Sequence, residues 1–170
     1  MNSIEMNYEE LESILGREFE AHGQLLSATT QVNEAIKGND IPALQNRSSH
    51  LDSQISMIEQ IEQLRGDCCN SLSRALGIER APVKLATLIE KAPARFREKL
   101  SSLHRALKKL MGDISIINVS NRVLLEEGLE LVRGRVAIIA NPIDRFTQYR
   151  QGGRLKPANT QLHPFINQTA

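Results

Sequence analysis

Residues 94–140 read ARFREKLSSLHRALKKLMGDISIINVSNRVLLEEGLELVRGRVAIIA, and this stretch decides the fold. Steps of four and three from Phe96 give Leu100, Leu103, Leu107, Leu110, Ile114, Ile117, Asn121, Leu124, Gly128, Leu131, Arg135 and Ile138. Ten of these thirteen sites are Phe, Leu or Ile, although apolar residues make up only 41 % of the chain. A seam with that alternation is the mark of a helix packed lengthwise on other helices. The spacing predicts one helix over about 94–140, roughly 70 Å long at about 1.5 Å per residue. Asn121 interrupts the seam at a core-type position, where a buried amide fixes register because a slipped pairing leaves it unsatisfied. Gly128 and Gly134 each cost about 1 kcal/mol relative to Ala in a helix interior, which weakens the last third.

Upstream, two more helices emerge. Tyr8, Leu11, Ile14, Leu15, Phe19, Leu25, Leu26, Val32 and Ile36 recur at helical steps and predict a helix over about 7–37, stopped by Gly38-Asn39. Asp40 caps the next, with Pro42 in its first turn. Its stripe is Leu44, Leu51, Ile55, Ile58, Ile61, Leu64, Cys68, Leu72 and Leu76, and Gly77 closes it, so it spans about 41–76. So short a link forces an antiparallel hairpin. Residues 78–93 form a connector in which Pro82 and Pro93 bracket a possible two-turn helix covering the bundle end. The expected fold is all-α: an elongated antiparallel bundle of three long helices with coiled-coil-like packing over 1–140, the last helix outrunning its partners, then a flexible tail over 141–170.

That tail is rich in Gly, Pro, Asn, Gln and Thr, a composition of loosely ordered chain. From the end of the helix into this tail, Ile139, Ile143, Phe146 and Tyr149 fall at steps of four, three and three and would make an apolar stripe without a partner of its own. The stripe is read two ways: it folds back as core, or it receives another protein's helix.

Charge is uneven. Residues 1–66 carry eleven acids and four Lys/Arg, a balance of −7; residues 67–170 carry nine and seventeen, a balance of +8. The favoured reading is that the halves attract each other, with the basic cluster Arg95, Arg97, Lys99, Arg105, Lys108 and Lys109 facing the acidic first helix. Nucleic-acid binding is disfavoured because no aromatic residues interleave the basic ones. Cys68 and Cys69 are adjacent in a helix, point about 100° apart and form neither a disulfide nor a closed metal site. Unpaired thiols of this kind suit a reducing cytosol. The N-terminus has no apolar h-region and no apolar run reaches membrane-span length, so neither signal peptide nor membrane insertion is expected.

Chemistry is not evident. None of His22, His50, His104 and His163 has an acid three residues earlier, as a di-iron bundle requires. His22 follows Glu18 by four and is read as a hydrogen-bonded pair within the bundle. No nucleotide, hydrolase or zinc motif is present. The chain is expected to be no enzyme and to need no cofactor or metal.

Four pieces together resemble the flagellar export chaperones of the FlgN type. They are Arg74-Ala75-Leu76-Gly77 at a helix end, the Leu-rich turn Leu85-Ala86-Thr87-Leu88, and Asn118-Val119-Ser120-Asn121-Arg122-Val123-Leu124, like the family's Asn-x-x-Asn-Arg-x-Leu run. The fourth is Tyr149-Arg150-Gln151-Gly152-Gly153, which approximates the family's Tyr-x-x-x-Gly element. The likeness spans roughly residues 5–153. It implies a cytoplasmic chaperone in flagellum biogenesis and type III protein export. Such proteins bind helical termini of the hook–filament junction proteins, keep these from assembling early and bring them to the export apparatus. By motif, cargo contacts would be Leu131, Ile138, Ile139, Ile143 and Phe146, and Tyr149 would dock on the cytosolic domain of the export gate. The alternative is a self-associating structural or signalling coiled-coil protein, since a seam serves an internal or an external partner equally.

Overall fold

The computed structural model describes residues 3–78 and 83–140, with side chains as far as residue 136. All described secondary structure is helical: α1 (Ser3–Lys37), α2 (Ile41–Ala75), α3 (Leu85–Glu90) and α4 (Ala94–Ala140). The chain divides into two compact units, Met1–Glu126 and Glu127–Ala170.

The turns follow from local chemistry. α1 ends with Asn39 in the left-handed region at φ 50°. Its N–H reaches the Ile36 carbonyl at 3.0 Å and that of Asp40 reaches Ala35 at 3.1 Å, the two bonds of a Schellman ending. The left-handed position is therefore Asn39, not the Gly38 that the sequence pattern pointed to. Asp40 then caps α2, its Oδ1 accepting from the Ala43 N–H at 2.9 Å. α2 ends the same way with Gly77 at φ 67°; the Gly77 and Ile78 N–H groups bond Arg74 and Ser73 at 3.1 and 2.9 Å.

Cross-helix contacts fix direction in the first unit. α2 runs antiparallel to α1: Cys68 lies by Asn7, Arg65 by Glu18 and Arg47 by Glu34. α4 runs parallel to α1. Arg95 pairs with Glu5 and Glu9, Lys99 with Glu12, and Asn121 with Asn33. The three ion pairs carry the charge division of the sequence, acidic α1 against the basic start of α4. They lie at the surface and contribute little each, about 0–1 kcal/mol.

Apolar burial holds the elements together. Tyr8, Leu11, Ile14, Leu15, Ile58, Ile61, Leu72, Leu88, Phe96, Leu100 and Leu107 belong to one core cluster. Tyr8 is its hub. Its ring stacks on Phe96 at 5.9 Å, and its hydroxyl donates to the Leu88 carbonyl at 3.0 Å. That carbonyl is in the last turn of α3 and would lack a partner within so short a helix. Leu88 and Ile89 are buried, so α3 covers the end of the α1–α2 hairpin as its two-turn pattern implied. Cys68 and Cys69 are free and buried in the same cluster. Toward the Asn39 turn the interior changes to small and polar side chains, Ala28, Thr29, Val32, Asn33 and Ala35.

Three stripe residues lie outside this core. Phe19, Ile55 and Leu64 are exposed. Phe19 sits about 70° from the inward line that Leu15, Glu18 and His22 define on α1, and Ile55 and Leu64 sit about 90° from the line of Gln54, Ile58 and Ile61 on α2. Polar Glu18, His22 and Gln54 are buried in their place; the four-residue spacing already put Glu18 and His22 within the bundle, whereas no apolar pattern marks Gln54.

Candidate functional site

Two features of the described residues depart from an ordinary helical core: an exposed apolar row on α4 and a buried polar group between α1 and α2.

The row begins where the α1 contact ends. Phe96, Leu100, Leu107, Ile114 and Asn121 are buried, as the seam predicts. From Leu125 to Val136 every described side chain is exposed. The α1–α4 pairs keep offsets of 86 to 92 positions, 88 for the buried Asn33–Asn121 pair, which sets the last residue of α1, Lys37, level with about Leu125. No α1 residue remains to continue the pairing. The seam positions Gly128, Leu131 and Arg135 are therefore not core; Leu131 is 64 % exposed.

Past that point the apolar face also changes track. A straight α-helix repeats nearly exactly after 18 residues, about five turns. Leu125 is 18 positions after Leu107 and Val132 is 18 after Ile114, so both sit on the line that is core-facing earlier in the helix. Leu125, Leu129, Val132 and Val136 follow at steps of four, three and four and are 43, 55, 58 and 56 % exposed. The same alternation continues in the sequence to Ile139, Ile143 and Phe146. The sequence reading missed the first four because it carried the strict seven-residue seam past its partner's end. The available signal was the second 4-3-4 series, one residue out of phase with the first.

The site residues expected from sequence divide accordingly. Leu131 is exposed beside the row. Ile138 and Ile139 lie in the last turn of α4 with side chains outside the described set, and Ile143, Phe146 and Tyr149 lie outside the described residues altogether. A separate exposed trio, Ile116, Val119 and Val123, faces away from the row.

Asn121 is buried, and its Oδ1 accepts from the Asn33 amide at 2.6 Å. Its own amide reaches the Thr29 carbonyl at 3.5 Å.

The polar group centres on Glu18. One oxygen or nitrogen each from Glu18, His22 and Glu62 lie within 4.8 Å of one another, a spacing a cation could use. Glu18 already has one: Arg65 Nε stands 2.9 Å from its Oε2, although the N–H does not point at the oxygen. Burial still outweighs that guanidinium and holds the Glu18 carboxyl above its ordinary range. His22 bonds the Glu18 backbone carbonyl through Nδ1 at 2.9 Å, rather than the carboxylate. A carbonyl only accepts, so Nδ1 carries the proton. Nearby, burial pushes the Cys68 thiol up to about 12 and raises that of Cys69. Thiols so disposed are poor nucleophiles.

No described helix is long and apolar enough to cross a membrane. A family model described as FlgN protein matches residues 1–157. No curated protein and no solved structure matches the chain.

Proposed function

Since this chain belongs to the FlgN family, the flagellar export chaperones, we propose that it holds the helical termini of hook–filament junction proteins in the cytosol. It keeps them from assembling and delivers them to the export apparatus. The observation that carries this reading is the exposed row Leu125, Leu129, Val132 and Val136, continued in sequence by Ile139, Ile143 and Phe146 and bordered by Leu131 and Ile138.

The physical case is one of supply and demand for apolar cover. Subunits whose termini pair as helices in a filament expose apolar stripes when they are single. A helix laid into the row covers both surfaces, in the manner of helix-in-groove recognition. Full burial of one aliphatic side chain contributes about 1.5–3 kcal/mol, and ordering a loose segment offsets part of that. The net is a moderate affinity, suited to a carrier that must release its load. The α1–α2–α4 contacts support a coiled-coil-like bundle as the rigid handle. Residues 141–170 then act as the cargo and gate segment, with Tyr149 meeting the cytosolic domain of the export gate. In this reading the protein acts by binding alone, without catalysis, cofactor, nucleic acid or membrane insertion.

Co-purification with junction proteins tests the proposal. Deleting residues 139–170 is expected to abolish or strongly weaken the complex while the far-ultraviolet helical signal stays largely intact. Undiminished binding after the deletion overturns the placement of cargo contacts at Ile139, Ile143 and Phe146.

A further inference from the structure

The charges along the apolar row complement the same row read backwards. In heptad terms Leu125 and Val132 hold one seam position, and Leu129 and Val136 hold the other. Glu126 and Arg133 directly follow Leu125 and Val132. They border the row on one side, seven positions apart, and both are exposed. Gly128 and Arg135 border the other side. A Cβ added at Gly128 would meet nothing within 4 Å, so the surface there is open.

Now set two such rows against each other. In an antiparallel pair, Leu125 meets the second copy's Val136 and Leu129 meets its Val132. Glu126 then faces the second copy's Arg133, and Arg133 faces its Glu126. One twofold axis makes both opposite-charge contacts at once, as an isologous interface requires. A parallel, in-register pair instead sets Gly128 beside the second copy's Arg133 and gains no such contact. The competing local contact is loose: Arg122 lies 4.0 Å from Glu126, and both side chains are about 70 % exposed.

Resting on the reading of this row as a docking surface, we propose that its occupant in the absence of cargo is a second copy of this chain, paired antiparallel over Leu125–Val136. Two heptads make a contact far below the size of a standard stable interface. The pair is therefore weak and exchangeable, a cover for the row and not a permanent scaffold. Cargo and second copy use the same side chains, so each displaces the other.

Sedimentation velocity of the full chain over a concentration series tests this. The variants are Glu126→Arg, Arg133→Glu and the double swap, each checked for unchanged helicity. The wild type is expected to dimerise at high concentration. Each single change puts two like-charge contacts across the axis and is expected to weaken pairing roughly tenfold. The swap restores opposite charges and is expected to return within about threefold of wild type. A monomer at every concentration, or a swap as weak as the single changes, overturns the proposal. Adding a junction-protein C-terminal segment is expected to convert dimer to a one-to-one complex. A chain that binds this segment but never self-pairs sinks the self-cover and leaves the chaperone reading standing. One that self-pairs but ignores the segment does the reverse.

Discussion

Asn33 donates its side-chain amide to Oδ1 of Asn121 at 2.6 Å, with both residues buried between α1 and α4. A slip of α4 by one turn would part the two amides in a setting with few other partners. We propose that this pair holds the α1–α4 register, which in turn fixes where α1 runs out and the exposed row begins. The expected signature is non-additivity. Asn121→Leu alone strands the Asn33 amide and costs about 1–3 kcal/mol, whereas Asn33→Leu with Asn121→Leu costs clearly less than the sum of the singles. Urea unfolding of the double-mutant cycle measures it.

Glu18 gives a pH dependence of definite sign. Its folded pKa is raised above the ordinary 4.5 because burial outweighs Arg65. The folded state thus binds the proton more tightly than the unfolded chain does. The stability this adds is complete below the unfolded value and is lost as pH rises through the folded one. Glu18→Gln is expected to remove that falling component from a stability profile taken upward from pH 4.5. An unchanged profile in the variant would contradict the burial argument.

The turn after α1 offers a gain. Asn39 occupies a left-handed conformation at φ 50° that glycine adopts without penalty. Asn39→Gly is expected to raise stability by up to about 1 kcal/mol, while Gly77→Ala at the matching turn after α2 lowers it by about 1 kcal/mol. Thermal melts of the two variants should move in opposite directions.

Cys68 and Cys69 are expected to resist alkylation in the folded protein, because both are buried and burial raises both thiols. Mass spectrometry after iodoacetamide should find neither labelled in buffer and both labelled in denaturant. Rapid labelling of the native chain would show that this part of the core opens readily.

Much of the architecture was legible because long-range packing here follows local periodicity. The line from Phe96 to Asn121 could be read directly, as could the Asp40 cap and the all-helical class. What the sequence hid depends on relations between helices. The seam past Leu124 keeps its spacing in the letters, but burial needs a facing residue, and α1 stops at Lys37. Leu129, Val132 and Val136 were overlooked for that reason. The choice of Asn39 over Gly38 as the left-handed residue, and of Asn33 as partner to Asn121, likewise follows from how the chain closes in space. Arg65 beside Glu18 could not be paired from periodicity, since polar residues that turn inward leave no apolar signal. The FlgN resemblance rested on short runs with little physical content alone, whose order along the chain made it specific.

The line through Leu125, Leu129, Val132 and Val136 is proposed to receive a junction-protein helix. Titration calorimetry of a junction-protein C-terminal segment into Val132→Glu and Ile116→Glu addresses it most directly, since the two sites lie about 160° apart around α4. Val132→Glu is expected to lose at least tenfold in affinity, and Ile116→Glu to change less than twofold. Wild-type affinity in Val132→Glu, or a loss confined to Ile116→Glu, would contradict it.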